Sequence, residues 1–193
     1  MLTFFQDGII ILNMSSNVSA TGKRIAMLGI LSGLGLVAFM IESLVPIPYL
    51  PGAKIGLANV FSMLALVLYG LPDALIVVVV RTFLGSLFAG NFSMIIYSAT
   101  AGVCSAIVSR LMLCLVPRIS FVAVSVTSAV IHNLVQLSVY CGLTATVQLF
   151  GYAPYLCLLG TVSGAVVGLA VTYTLKAIPA RILAHGSPKE EYK

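Results

Sequence analysis

Acidic residues are scarce in this sequence. Charged residues make up only 8% of the 193 residues, and only five residues are acidic. Those five are Asp7, Glu42, Asp73, Glu190 and Glu191, which are scattered or lie near the ends of the chain. A site that binds Mg²⁺ together with phosphate groups needs clustered carboxylates. The sequence therefore argues against a magnesium-dependent diphosphate enzyme.

Several motifs of catalysis and metal binding are also absent. The sequence contains no G-x-x-x-x-G-K-[ST] phosphate-binding loop, no HExxH motif and no cluster of cysteine and histidine. Its four cysteines stand singly inside apolar runs without CxxC spacing, which is typical of small buried apolar residues. We therefore expect no bound metal, no cofactor and no P-loop ATPase activity in this chain.

Long apolar runs dominate what is present. Hydrophobic residues make up 60% of the chain and the mean hydropathy is +1.13, which is far outside the range of soluble domains. The runs are continuously apolar for about 20 residues, as membrane-spanning helices require, and do not alternate as barrel strands do. The sequence predicts an all-α integral membrane protein, a six-transmembrane-helix bundle over residues 24–178. The predicted spans are 24–44, 54–70, 71–89, 92–115, 119–142 and 151–176.

Basic residues flank the apolar runs asymmetrically. With the N-terminus in the cytoplasm, the inner side receives Lys23, Arg24, Arg110, Arg118, Lys176 and Arg181, and the outer side receives only Lys54. Lysine and arginine are enriched in cytoplasmic loops. Both termini are therefore predicted to be cytoplasmic, with residues 1–23 as a flexible N-terminal extension and residues 179–193 as a cytoplasmic tail.

A polar stripe lies inside the fifth predicted span. Ser128, His132, Gln136 and Tyr140 follow one another at intervals of four, so on a helix they share one face, and Asn133 lies beside it. Polar groups at membrane depth are costly unless they face protein, water or a ligand. We therefore predict that this stripe forms one wall of a binding pocket. His132 could act in acid–base chemistry, but no partner base or nucleophile is evident.

Two cations are expected on the same side of the bundle as the stripe. Lys54 and Arg81 have Glu42 as the one acid predicted nearby, and a buried guanidinium needs a partner. Either Glu42 pairs with one of the cations, or the anion of a ligand does. The other candidate ligand contacts on this side are Asn59, Asn91 and Tyr97.

Small residues form a second pattern. Gly160, Gly164 and Gly168 repeat every four residues in the sixth span, and the first span carries Ala26, Gly29 and Gly33. Such stripes let helix backbones approach closely in lipid. They could serve packing within the chain, or the stripe of the first span could dock a partner helix.

Four segments carry a resemblance to a known family. They are PGAKIGLANVFSMLALVLYG (51–70), VVVRTFLGSLFAG (78–90), YSATAGVCSAIVSRL (97–111) and HNLVQL (132–137). Together they resemble the family named heptaprenyl diphosphate synthase component I, also called the Gx transporter family, over residues 24–178. That family is similar in pattern to the substrate-binding S components of energy-coupling factor (ECF) transporters.

The resemblance implies a function and a location. S components are six-helix proteins that capture micronutrients on the outside of the cell, and a small-residue motif on their first helix docks a membrane coupling subunit driven by two cytoplasmic ATPases. Ala26, Gly29 and Gly33 would correspond to that motif, with glycine where alanine is usual. The expected location is the bacterial cytoplasmic membrane. Prenyl diphosphate synthases carry DDxxD motifs, which this sequence lacks.

Three hypotheses follow. The leading one is an S-component-like subunit, not an enzyme, that binds a small polar or anionic micronutrient through Lys54, Asn59, Arg81, Asn91, Tyr97, His132, Asn133, Gln136 and Tyr140. The proline-rich segment 45–53 would act as its gate. The second is a non-catalytic membrane subunit that assists isoprenoid-quinone synthesis or flavin- or quinone-linked electron transfer. The third is a purely structural assembly factor that binds no small ligand.

Overall fold

The computed structural model describes residues 3–44 and 56–177, and within them the side chains of 21–42 and 56–177. Six α-helices account for most of this part of the chain: α1 (Thr3–Leu44), α2 (Ala58–Tyr69), α3 (Leu71–Phe88), α4 (Ser93–Leu115), α5 (Phe121–Thr144) and α6 (Ala153–Ala177). A short 3-10 helix, Val147–Tyr152, precedes α6. Lys54 and the predicted gate at 45–53 lie outside the described residues.

Five segments of the described chain are long and apolar enough to cross a membrane. They are Thr21–Glu42, Leu71–Phe88, Ser93–Leu115, Phe121–Thr144 and Val147–Ala177. Large apolar side chains cover their outer faces, including Phe83, Tyr155 and Leu158, as lipid contact requires. The predicted all-α, multi-pass membrane bundle is confirmed.

Helix α2 is the exception in length. Its 12 residues span about 18 Å at 1.5 Å per residue, well short of a hydrocarbon core about 30 Å thick. The number of crossings and the cytoplasmic position of the termini stay predictions. So does the division into extension, membrane domain and tail.

The helices pack as a curved row with α2 set into it. Helix α1 packs on α3, α3 on α4, α4 on α5 and α5 on α6, while α2 contacts α1, α3, α4 and α6. Helix α2 is described in full and exposes none of its residues. Protein therefore surrounds this short helix along its length.

Local sequence explains where the helices begin and end. Gly70, with φ +94°, separates α2 from α3, and Pro72 lies in the first turn of α3, where no backbone N–H is needed. The side chain of Ser120 accepts a hydrogen bond from the Ala123 N–H at 3.1 Å and caps α5. These residues produce the tight connections that bring neighbouring helices into contact.

The two small-residue stripes have different surroundings. A Cβ added at Gly164 would lie 2.6 Å from Val126 Cα, and one at Gly168 would lie 2.5 Å from Val122 Cα, so the α6 stripe packs on the α5 backbone. In the described part of the chain nothing lies within 4 Å of a Cβ added at Gly29 or Gly33. The α6 glycines serve packing within the chain, whereas the α1 stripe is exposed.

An ion pair joins α1 to α3. Arg24 Nε donates to Asp73 Oδ2 at 3.0 Å, and Arg24 Nη2 donates to the same oxygen. The Asp73 side chain is almost fully buried, while that of Arg24 is half exposed. Arg24, which served in the sequence only to orient the chain, therefore also links α1 to the start of α3.

Candidate functional site

Two adjoining cavities lie between the helices around Arg81. The His132 cavity is lined by Phe39, Glu42, Ser98, His132 and Asn133, and the serine cavity by Ser62, Ser105, Ser109, Ser125 and Ser128 with several apolar residues. Both cavities share Gly56, Asn59, Arg81, Ala129 and Ser163. The cavity volume is about 10 Å³ for the His132 cavity and about 30 Å³ for the serine cavity.

Arg81 is the charged residue common to both cavities. It lies on α3, is 3% exposed, and donates from Nη2 to Asn59 Oδ1 at 2.7 Å. Asn59 lies in the first turn of α2, where its N–H donates to the Gly56 carbonyl at 2.9 Å. Gly56 has φ +83°, a backbone conformation that glycine adopts without strain. The Gly56 turn therefore places the amide that holds the guanidinium.

Glu42 contributes negative charge beside Arg81. Its buried carboxylate accepts a hydrogen bond from the Leu57 N–H at the start of α2, where an anion also interacts favourably with the helix dipole. Glu42 attracts the Arg81 guanidinium electrostatically. Glu42, one of the two partners considered for the buried cation, therefore lies in the same cavity as Arg81.

The polar residues of α5 connect it to both neighbouring helices. His132 Nδ1 lies 3.5 Å from Ser105 Oγ on α4. Asn133 Nδ2 donates to the Leu156 carbonyl of α6 at 3.0 Å. Ser105 itself donates to the Gly102 carbonyl at 2.9 Å. These side chains hold α4, α5 and α6 together around the His132 cavity.

The predicted ligand contacts divide into two groups. Asn59, Arg81, His132 and Asn133 line the His132 cavity together. The others with described side chains lie apart from both cavities: Asn91 is exposed in the turn between α3 and α4, Gln136 is buried outside the linings, and Tyr97 packs edge-on against Tyr140 with ring centroids 5.6 Å apart. The tyrosine pair belongs to an apolar cluster with Phe39, Ala58 and Met94.

The serines are the site residues that sequence reasoning largely missed. Ser98, Ser105 and Ser109 of α4 are spaced by seven and four residues, which puts them on one helix face. That spacing was the available signal. Ser105 and Ser109 donate to carbonyls of their own helix, and both residues line the serine cavity.

Three buried polar atoms at the serine cavity have no hydrogen-bond partner within the described protein. They are Arg81 Nε, Ser62 Oγ and Ser125 Oγ. A buried polar atom left without a partner costs about 1–3 kcal/mol, so these three favour an occupant that can bond to them.

The described residues of the two cavities supply groups that can hold a ligand. Within residues 21–42 and 56–177, no three His, Cys, Asp or Glu side chains come together as a metal site would require. The cavities offer hydrogen-bond donors, one guanidinium and one carboxylate.

Comparison with known proteins places the chain among its relatives. The family described as "Heptaprenyl diphosphate synthase component I" matches residues 31–174. The chain belongs to this family. The match includes every residue that lines the two cavities, as well as Gly33 of the α1 stripe. No curated protein and no solved structure matches the chain significantly.

Proposed function

We propose that this component I family member is a non-catalytic membrane subunit that binds a small polar or anionic solute inside its helical bundle, as S components of ECF transporters do. The observation that carries the proposal is Arg81, a guanidinium buried at a polar cavity in a membrane protein. Such a residue is costly at membrane depth and is typical of a functional site. Asn59, His132 and Asn133 supply polar groups around it.

The size of the cavities sets a condition on this proposal. The roughly 10 and 30 Å³ present hold only water molecules or a single small ion, whereas ligand pockets of ordinary size measure about 300–1,000 Å³. A micronutrient would therefore bind to a second arrangement in which the helices around Arg81 separate. The ligand would shift the population toward that arrangement.

The exposed α1 stripe supports a coupling partner. Ala26, Gly29 and Gly33 lie on the outside of the bundle, where a helix of a membrane coupling subunit could approach closely. In this proposal cytoplasmic ATPases encoded elsewhere supply the energy. The bundle lies in the cytoplasmic membrane of a bacterium with both termini inside and six crossings.

The family description favours a second candidate function. A "component I" of heptaprenyl diphosphate synthase would assist a separate catalytic subunit that contributes the acidic residues for Mg²⁺ and diphosphate. The described part of this chain has no such cluster. Its role would then be to hold the partner, or a polar group of an isoprenoid, at the membrane.

One experiment separates the candidates. The full chain is purified gently from its own membrane, its partners are identified, and bound small molecules are measured by native mass spectrometry. The ECF-type proposal expects a coupling subunit, ATPases and a small solute, whereas the second expects a prenyl diphosphate synthase subunit. Recovery of neither kind of partner, together with no bound solute, would contradict both and favour a purely structural role.

A matched pair of variants tests the site. Arg81→Gln removes the buried charge and is expected to weaken solute binding at least about tenfold, because hydrogen bonds to charged groups contribute about 1.5–3 kcal/mol. Lys176→Gln removes an exposed cation at the end of α6 and is the control. Equal binding by both variants would remove Arg81 from the site.

A further inference from the structure

The serine cavity is rich in donors and lacks acids. Arg81, Ser62 and Ser125 line it, and Arg81 Nε, Ser62 Oγ and Ser125 Oγ are buried without a partner in the described protein. Among the described residues of its lining none is acidic. Glu42 lines the neighbouring His132 cavity instead. An occupant that accepts hydrogen bonds and carries negative charge fits this lining.

Arg81 has only part of its donors engaged by the described protein. Its Nη2 is occupied by Asn59 Oδ1 at 2.7 Å, while its Nε has no partner in the described protein. Ser105 and Ser109 already use their hydroxyl hydrogens on helix carbonyls. The buried donors without a partner in the described protein are therefore the Arg81 Nε–H and the hydroxyls of Ser62 and Ser125, from α3, α2 and α5.

The volume limits the occupant to a small species. The serine cavity has a volume of about 30 Å³. This holds about two water molecules, which need about 10–15 Å³ each. A chloride ion is slightly larger than one water molecule and fits, whereas four oxygens of a phosphate do not. A guanidinium in a low-dielectric interior attracts an anion far more strongly than it would in water.

We propose that the serine cavity is a binding site for a monatomic anion such as chloride, held by Arg81 Nε and the hydroxyls of Ser62 and Ser125. The site shares Arg81 with the proposed solute site of the His132 cavity, whereas Ser62 and Ser125 line the serine cavity alone. Water is the competing occupant, because the lone pairs of Ser105 and Ser109 could accept hydrogen bonds that a halide cannot donate.

Glu42 provides a directional test of this proposal. Its carboxylate already attracts Arg81 and would repel an anion on the other side of the guanidinium. Glu42→Gln keeps an oxygen for the Leu57 N–H and removes the charge. We expect this variant to bind the anion more tightly than the original protein.

The binding experiment uses the full-length protein in detergent. Chloride is titrated at constant ionic strength against gluconate, and the line width of the ³⁵Cl resonance reports exchange with a protein site. The unchanged protein is expected to give saturable broadening. Arg81→Gln should abolish it, and Ser125→Ala should weaken binding about tenfold because it loses a hydrogen bond to an ion. Ser138→Ala, at an exposed serine of the same helix, is the control and should bind as the original does.

Ser125→Ala distinguishes a loss of anion binding from a loss of folding stability. Ser125→Ala removes a buried hydroxyl that has no protein partner, so in gluconate it should unfold no earlier than the original protein. In chloride the original protein should gain thermal stability that rises with the logarithm of the chloride concentration once this exceeds the dissociation constant, and Ser125→Ala should gain less. No saturable broadening in the original protein, or equal broadening in Ser125→Ala and Ser138→Ala, would show that the cavity holds water only and would overturn the proposal.

Discussion

The packing of α6 on α5 can be tested with one methyl group. In Gly164→Ala the new Cβ would lie 2.6 Å from Val126 Cα and 2.7 Å from the Ser125 carbonyl oxygen. Non-bonded carbon atoms settle about 3.5–4.0 Å apart, so α6 must move away from α5 by about 1 Å. Both contacted atoms belong to the backbone, so no side chain can rotate to relieve the contact.

The magnitude follows from comparison with a second glycine. Overpacking of this kind costs about 1–3 kcal/mol, while alanine in place of glycine stabilises a helix interior by about 1 kcal/mol. Gly33→Ala gains the helix stability of alanine without the cost of overpacking, because nothing described lies within 4 Å of its new Cβ. The difference between the two variants therefore isolates the packing cost.

The assay is thermal unfolding of the two purified variants in the same detergent, followed by circular dichroism. For a chain of this size each kcal/mol shifts the midpoint by about 2–4 °C, so Gly164→Ala should unfold about 2–12 °C below Gly33→Ala. Equal midpoints would refute the close contact between α5 and α6. They would also remove the reason for reading the α6 stripe as internal packing.

Two further variants test the ion pair between α1 and α3 and the turn that precedes α2. Arg24→Gln should destabilise the protein by about 1–3 kcal/mol, because buried Asp73 loses its hydrogen bonds from α1. The same unfolding assay on Lys23→Gln, a change at an exposed position, is the control. Equal losses of stability in the two variants would contradict the Arg24–Asp73 pair. Gly56→Ala places a side chain at φ +83° and 3.2 Å from Asn59 Nδ2, so it should cost about 1–2 kcal/mol and weaken solute binding. If Gly56→Ala is stable and binds solute unchanged, the turn at Gly56 is not needed to position the site.

Helix positions could be predicted from the sequence because continuous apolar runs allow few alternatives. The spans predicted at 92–115 and 119–142 correspond to α4 at Ser93–Leu115 and α5 at Phe121–Thr144. The enclosure of α2 could not be predicted in this way. A run that is apolar on every side carries no signal of which helices surround it.

Part of the site could be predicted for a related reason. Arg81 and Asn59 are too polar to face lipid, so an interior position was the expectation. The α5 stripe was harder, since four residues turn a helix by about 40° beyond a full circle. Ser128 and His132 line cavities, but Tyr140, two steps further along, packs on Tyr97 instead.

The serines were difficult to recognise because a hydroxyl can bond to its own helix. Exposed Ser138 donates to the Leu134 carbonyl at 2.8 Å, just as buried Ser109 donates to that of Ser105. A serine in an apolar run is therefore compatible with either face of a membrane helix. Only the packing of α2, α4 and α5 distinguishes the two.

The enclosure of α2 has a consequence for how the chain is made. A segment of 12 residues is too short to be held by lipid alone as it leaves the ribosome, and its lasting neighbours α4 and α6 are synthesised after it. We therefore expect α2 to reach its position late in biogenesis. Since α2 carries Asn59, the surroundings of the Asn59–Arg81 pair would be complete only once the last helix has entered the membrane.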